Sequence, residues 1–291
     1  MIIFPENFGF DSPLCGKWLF EFEKDSNLRI MSNNVWVNDN NIDSWIEMGE
    51  DCSAEHRAKG LAACYMALMP DIINVQEMTV VMYPYVLKNM SDYGHSYAVT
   101  ENIHSLNILY NEKTLELVDH DYHMFTYGGN GKGYVWAVFK HRATGKLFAS
   151  VSTHFWWMGE SMRAGSDAWR EAQAIETSDK CKEIAEKYGC PVFLGGDFNC
   201  RLSSQALKNI LNNGISNCFG DALENDDFGS HHPCGGNGFG KGNPGTNEDA
   251  IDHLFYYNLG DCVLNAFRRT EPEFFMKLSD HYPLYVDVML K

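Results

Sequence analysis

Apolar runs of strand length that end in polar side chains recur along this chain. Leu28-Arg29-Ile30-Met31-Ser32-Asn33-Asn34-Val35-Trp36 alternates apolar and polar positions as a half-buried strand does, with Asn34 near its end. From Glu55 to Met69, Leu61, Cys64, Tyr65 and Leu68 fall at helical spacing and predict an amphipathic helix that Pro70 stops. Ile72-Ile73-Asn74-Val75 predicts a short strand that delivers Gln76 and Glu77. Ser105 to Tyr110 and Leu115 to Val118 predict a hairpin around Asn111-Glu112-Lys113. Tyr134 to His141 and Leu147 to Thr153, separated by a turn at Thr144-Gly145-Lys146, predict two more strands, the second ending in His154.

Ala172, Ile175, Ile184 and Ala185 among the charges of Ala168 to Lys187 predict a helix that leads through Gly189 into the apolar strand Pro191-Val192-Phe193-Leu194. Gly195-Gly196-Asp197-Phe198-Asn199 follows, where the two glycines permit tight backbone geometry. Asp197 and Asn199, two apart on an extended segment, present a carboxylate and an amide on one face, suited to a hard cation or a phosphate. The same pentapeptide also fits a strand-ending turn whose Asp and Asn bond their own backbone. Ser203 to Leu211 predicts a helix, and Asn225 to Asp249, rich in Gly, Asn and Asp, predicts a long exposed loop. Strands resume at Ala250 to Tyr257, Cys262 to Phe267 and Leu284 to Leu290, the last preceded by Ser279-Asp280-His281-Tyr282-Pro283.

Helices here separate runs of strands instead of alternating strictly with them, which predicts a mixed α/β sandwich in one domain, residues 28–291. Residues 1–27 read as an extension packed on it. A 45% hydrophobic share is ample for an extensive core in 291 residues. The formal charge of -16 disfavours tight, non-specific binding to a long phosphate backbone without excluding nuclease chemistry, because a bound metal reverses the potential locally. Nine cysteines without a C-x-x-C pair read as mostly free thiols. With no signal-like start and no long apolar span, the expectation is a cytoplasmic protein with no membrane span and no obligate protein partner.

Five strand ends carry side chains suited to phosphate chemistry: Asn34; Glu77; His154; Asp197 with Asn199; and Asp252 with Asp280-His281. Singly, each also reads as a turn residue, a solvated acid or a hydrogen-bonded structural histidine. Together, the runs Met31–Trp36, Pro70–Glu77, Ser152–Phe155, Gly195–Asn199, Ile251–His253 and Ser279–Pro283, in this order, resemble the endonuclease/exonuclease/phosphatase superfamily of metal-dependent phosphoesterases. Arg57 and Arg170 also look like family positions. The resemblance implies a four-layer α/β sandwich, two mixed β-sheets packed face to face and flanked by helices, with a metal site at one rim. It implies Mg²⁺ (or Mn²⁺) on Glu77, with Asn34 beside it and Asp280 contributing. It also implies that His281 contacts the scissile phosphate as acid/base, with Asp252 fixing its tautomer. Asp197 would orient or deprotonate the attacking water, Asn199 hold a phosphate oxygen, and His154 stabilise the transition state or help protonate the leaving group.

Trp156 and Trp157 follow His154, where other members often carry a smaller residue and a second His; they suit stacking on a base, an apolar leaving-group pocket, or the core. His253 is expected to point away from Asp252 along its strand. His231-His232-Pro233-Cys234 reads as part of a substrate loop rather than a zinc site, and Asn237, Phe239 and Lys241 are candidate substrate contacts. The acidic balance and the lack of a basic stripe favour a small phosphate ester over nucleic acid, with endo- or exonuclease activity as the alternative and a non-catalytic binding module of the same fold as a remote one.

Overall fold

The computed structural model describes residues 24, 26–37, 51–100, 105–127, 131–231, 245–270 and 278–291. The first half of the chain gives β1 (Leu28–Asn34), α1 (Ala54–Leu68), β2 (Ile72–Gln76), α2 (Met82–Asp92), β3 (Tyr97–Val99), β4 (Leu106–Asn111), β5 (Leu115–Met124) and β6 (Gly133–His141). The second half gives β7 (Leu147–His154), α3 (Ser166–Tyr188), β8 (Val192–Asp197), α4 (Gln205–Asn212), β9 (Ser216–Asn217), α5 (Cys218–Asp221), β10 (Glu224–Asn225), β11 (Asp252–Tyr257), β12 (Val263–Arg269) and β13 (Leu284–Met289). Among the described residues the strands form a seven-stranded sheet, β10-β12-β13-β1-β2-β4-β3, and a six-stranded sheet, β5-β6-β7-β8-β11-β9. Both are mixed: β1 runs parallel to β2, and β7 to β8, among antiparallel neighbours.

Side-chain alternation sorts the core into layers. Leu28, Ile30, Ile72, Ile108 and Val286 of the first sheet meet Phe139, Phe148, Phe193 and Leu254 of the second between the sheets. On the outer face of the first sheet, Met31, Ile73 and Leu109 pack with α1 and with Met82, Val86 and Met90 of α2. On the outer face of the second, Val151, Val192 and Leu194 pack with Ala174 and Ile184 of α3 and Leu207 and Ile210 of α4. The result is helix, sheet, sheet, helix, the four-layer sandwich that the family resemblance implied.

Several elements depart from their expected surroundings. β1 is buried on both faces instead of one, because a helix layer covers its outer side. Its charged position is neutralised in place: Arg29, 1% exposed, donates from Nε and a terminal nitrogen to the two carboxylate oxygens of Asp287, its cross-strand partner on β13, at 2.7 Å each. α1 is buried on nearly every side, its alanines letting it sit closely against sheet and α2. Ser53 caps its start and a left-handed Met69 ends it before Pro70. The hairpin expected around Asn111 is instead a crossing between sheets. The turn closes as drawn from sequence, Thr114 N donating to Asn111 O at 3.2 Å, but β4 pairs with β2 and β3 while β5 pairs with β6. Asp71 anchors the crossing by accepting from Thr114 Oγ1 at 2.8 Å. α2 lacks a sequence signal because Pro84 punctuates its first turn, where a missing N–H costs nothing. Within the long loop, residues 225–231 and 245–249 are described, and Ser230 there is buried.

The two glycines at the end of β8 have ordinary φ values; they are needed for close approach. A Cβ on Gly195 would lie 2.7 Å from Leu254 Cδ2 and 2.8 Å from Asn74 Nδ2, in the seam between the sheets. A Cβ on Gly196 would lie 2.1 Å from the Thr153 carbonyl oxygen of β7. Gly196→Ala must therefore displace backbone, and it is expected to destabilise the fold by at least the ~1–3 kcal/mol typical of overpacking, measured by urea unfolding. Unchanged stability would mean that β7 and β8 do not approach this closely.

Candidate active site

Along the seam between the sheets, the inward-facing positions change from apolar to polar as each strand nears one rim. On β1 they run Leu28, Ile30, Ser32, Asn34; on β2, Ile72, Asn74, Gln76; on β7, Phe148, Ser150, Ser152, His154; and on β8, Phe193, Gly195, Asp197. Cross-sheet hydrogen bonds stitch this half of the seam: Ser150 Oγ to Asn74 Oδ1 at 2.8 Å, Gln76 Nε2 to Ser152 Oγ at 3.0 Å, and Asn34 Nδ2 to Asp197 Oδ2 at 3.0 Å. Parallel pairing sets His154 beside Asp197, and antiparallel pairing sets Asp252 beside Asp197. The strand ends singled out from sequence thus converge.

Asp197 is the hub. Its Oδ2 lies 3.4 Å from His154 Nε2 and 3.9 Å from His281 Nε2, and its Oδ1 accepts the Asn199 N–H at 2.8 Å. Burial penalises its charge, but His154, His281 and Lys132 outweigh that and hold the carboxyl far below the usual carboxylate range. His281 Nδ1 bonds Asp252 Oδ2 at 2.7 Å, and Ser230 Oγ donates to the same oxygen at 2.7 Å. Burial opposes charging the His281 ring, yet Asp252, Asp280 and Asp197 raise its pKa well above the ordinary value. Ser279 Oγ accepts from His281 N at 3.1 Å and donates to Asn34 O at 2.7 Å, tying the histidine turn to β1.

Asn34 faces the seam, while Asn33 points outward to the Tyr65 hydroxyl, which donates to Asn33 Oδ1 at 2.8 Å. Glu77 adopts a left-handed φ of 63°; its Oε1 stands 3.8 Å from His154 Nε2 and its Oε2 accepts Val37 N–H at 2.7 Å. Asp280 Oδ1 lies 3.9 Å from His281 Nε2. Asn199 is not on an extended segment: with φ of 50° it closes a turn onto Asp197, and its Nδ2 donates to Phe155 O at 3.1 Å. His253 turns away as expected, its Nε2 against Cys200 O at 3.1 Å. Arg57 donates to Val35 O, Trp36 O and Leu278 O, fastening the segment after Asn34 to the one before Ser279. Arg170 holds the carbonyls of Trp156 and Met158.

The tryptophans divide. Trp156 is 8% exposed, with Nε1 donating to Ser166 Oγ at 3.0 Å and its ring edge-on to Trp169, so it belongs to the packing under α3 and not to a substrate wall. Trp157, 50% exposed, lines a pocket of about 370 Å³ together with Glu77, His154, Lys132 and Val37. Asn237, Phe239, Lys241 and the His232-Pro233-Cys234 part of the loop lie outside the described residues. His231 is described and forms an antiparallel bridge with His281.

Lys132 is the functional candidate that sequence reasoning passed over. Its ammonium contacts His154 Nε2, and it is 8% exposed. Burial lowers its pKa to about 8 against the pull of Asp197 and Glu77. The signal was a lone lysine in the glycine run Gly128-Gly129-Asn130-Gly131-Lys132-Gly133 ahead of a buried strand.

Three ligand-type atoms, one each from Asp197, Asp252 and His281, lie within 4.8 Å of one another and could themselves hold an ion. Glu77, Asp280 and Asn34, the metal candidates from sequence, are the oxygen-bearing side chains that could hold a second ion nearby. Burial pushes the Asp280 carboxyl up, His281 partly offsets this, and the neighbouring Glu77 adds a repulsion that a cation between the two would relieve.

A two-sheet sandwich with carboxylates, amides and histidines gathered at one rim is an architecture shared by a known class of proteins, and the sequence places the chain within it. The chain belongs to the Endonuclease/Exonuclease/phosphatase family, whose sequence pattern matches residues 34–281. Among solved structures, an endonuclease/exonuclease/phosphatase from Bacteroides vulgatus superposes with a TM-score of 0.71 at 20% identity, over 91% of this chain and 99% of that one. A mannosyl-6-phosphatase from Bacteroides thetaiotaomicron VPI-5482 gives 0.66 at 19% identity, over 90% and 100%. TDP2 from D. rerio, complexed with a single strand DNA product, gives 0.65 at 16% identity, over 90% and 99%. These likenesses are of fold. No curated protein matches the chain in sequence.

Because Asp252 helps hold the His281 proton, Asp252→Asn is expected to lower the His281 pKa, so that the ring loses its proton at lower pH. An NMR titration of the metal-free protein checks this. An unmoved His281 would mean that Asp252 is not its electrostatic partner.

Proposed function

We propose that the protein is a divalent-metal-dependent hydrolase of phosphate esters, acting by in-line attack of an activated water. The observation that carries this reading is the convergence of Asp197 with the His281–Asp252 pair and with His154 and Glu77 at one rim. Phosphoryl transfer needs a positioned nucleophile and compensation of charge on the phosphoryl oxygens, and this set supplies both.

In this reading Asp197 orients the water. Its cationic neighbours His154, His281 and Lys132 favour the anion, which accepts a hydrogen bond from the attacking water and orients or deprotonates it. His281, kept protonated by Asp252, donates from Nε2 to a phosphoryl oxygen. His154 faces the same oxygens from the β7 side, and Asn199 offers the amide hydrogen that Phe155 O leaves unused. Glu77, Asn34 and Asp280 would hold Mg²⁺ or Mn²⁺, which when bound supplies Lewis-acid stabilisation of the phosphoryl charge. Trp157 borders the room for the esterified group.

A small phosphate ester is favoured over nucleic acid by the -16 charge and by a pocket bounded by one tryptophan. The structural relatives include both a mannosyl-6-phosphatase and a protein complexed with a DNA product, so a nuclease is the second reading. Residues 28–291 act as one catalytic domain in this proposal, with 1–27 as an extension. The seven described cysteines are free, which suits a reducing compartment such as the cytoplasm. No helix among the described residues is long and apolar enough to cross a membrane.

Sugar phosphates, nucleotides, inositol phosphates, sphingomyelin and a generic phosphodiester should be assayed beside DNA and RNA, with Mg²⁺ or Mn²⁺ and an EDTA control. The expected result is EDTA-sensitive turnover of a small ester, lowered about 10³-fold or more in both Asp197→Ala and His281→Ala with unchanged circular dichroism. Wild-type-like turnover in either variant would refute the assignment. Cleavage confined to nucleic acid, with affinity falling steeply with salt, would establish the second reading. Glu77→Ala is expected to move the Mg²⁺ titration to higher concentration, and an unmoved titration would remove Glu77 from the metal site.

A further inference from the structure

Lys132 is a buried ammonium that feels the charges of Asp197 and Glu77 without bonding either carboxylate. It immediately precedes β6, lines the Trp157 pocket and is 8% exposed, yet His154 is its one hydrogen-bond partner among the described residues. An ammonium carries three donors and no acceptor, so a buried one with a single partner has donors to spare. The backbone beside it is fixed. A Cβ on Gly133 would lie 2.2 Å from His123 O, so β6 approaches β5 here as only glycine permits, and the lysine stem starts from a pinned strand end.

Charge gives the lysine its purpose. Glu77, Asp197, Asp252 and Asp280 are four carboxyl groups linked by close approaches to His154 and His281, and Lys132 joins the same cluster through His154. A divalent ion brings that set to neutrality only if Lys132 is counted. Without it the site would keep a net negative charge and repel the oxyanion it must bind. Among the described residues that line the pocket, Lys132 is the one lysine or arginine, while Trp157 and Val37 offer no charge.

We propose that the Lys132 ammonium binds a non-bridging oxygen of the substrate's phosphoryl group, which makes Lys132 a further catalytic residue of this site. The proposal rests on the phosphoesterase reading above. Lys132 meets the phosphoryl group beside His154, and His281 meets it from its own side of Asp197, so that charge on the oxygens is met by two cations. The competing role is that of a counter-ion to Glu77 and Asp197 that never touches substrate.

The two roles separate by calorimetry on the Mn²⁺-loaded full-length protein, with orthophosphate and orthovanadate as probes. Lys132→Met keeps the stem and removes the charge; Lys132→Arg keeps the charge. The expected result is that Lys132→Met weakens orthophosphate about ten- to a hundredfold, weakens vanadate by more, and leaves Mn²⁺ bound at least as tightly. Lys132→Arg should recover part of the loss and guards against misfolding of the methionine variant. Orthophosphate affinity within twofold of wild type in Lys132→Met, with Mn²⁺ bound more tightly, would overturn the proposal in favour of the counter-ion role. A wild-type protein that binds Mn²⁺ but neither oxyanion would overturn the phosphoesterase reading together with it.

Discussion

The two-residue periodicity of strands meeting between two sheets delivers most of the site. Because β1 and β2 run parallel in one sheet and β7 and β8 in the other, four carboxyl-terminal strand ends reach the same rim. The Asn34 to Asp197 hydrogen bond across the seam sets one sheet against the other where this happens. Gly195 lets the sheets close, since a side chain there would collide with Asn74 and Leu254. A shift of one residue in any of these strands would turn its polar terminus into the helix layer, so register and function share one constraint.

Electrostatics then differentiates groups that resemble one another chemically. Asp197 and Asp252 are adjacent across β8 and β11, but one is surrounded by His154, His281 and Lys132 while the other is committed to His281 and Ser230. The first is left as a buried anion among cationic neighbours, the second as the partner that charges an imidazole. Buried hydroxyls do the positioning: Ser230 and Ser279 each fix one side of the His281 turn, so the ring is held from Asp252 and from β1 at once. Ser230 carries no sequence signal of its own, and Ser279 stands in sequence only as the start of the run that contains His281.

What sequence reveals and what it conceals follows from the same physics. The ends of β1, β2, β7, β8 and β11 were legible because polar side chains at the close or opening of apolar runs are hard to explain as packing. Concealed were features that depend on the partner across space. The turn at Asn111 has identical local chemistry whether its strands pair or part, and only Asp71 and the second sheet decide that they part. Trp156 and Trp157 are indistinguishable as letters, yet one lies buried under α3 and the other faces the pocket. Arg29 reads as a solvent position and is instead paired inside the fold. Lys132 reads as a solvated loop residue because a single lysine among glycines gives no hint of the carboxylates that await it.

Diffraction from crystals soaked in Mn²⁺, recorded near the manganese absorption edge, tests the arrangement most directly. The expected result is an anomalous peak against Glu77, with Asn34 and Asp280 close by and the Asp197–His281–Asp252 cluster free to act on water and phosphate. A peak instead enclosed by Asp197, Asp252 and His281, whose ligand atoms already lie within 4.8 Å of one another, would contradict the division of labour between metal holder and acid–base pair.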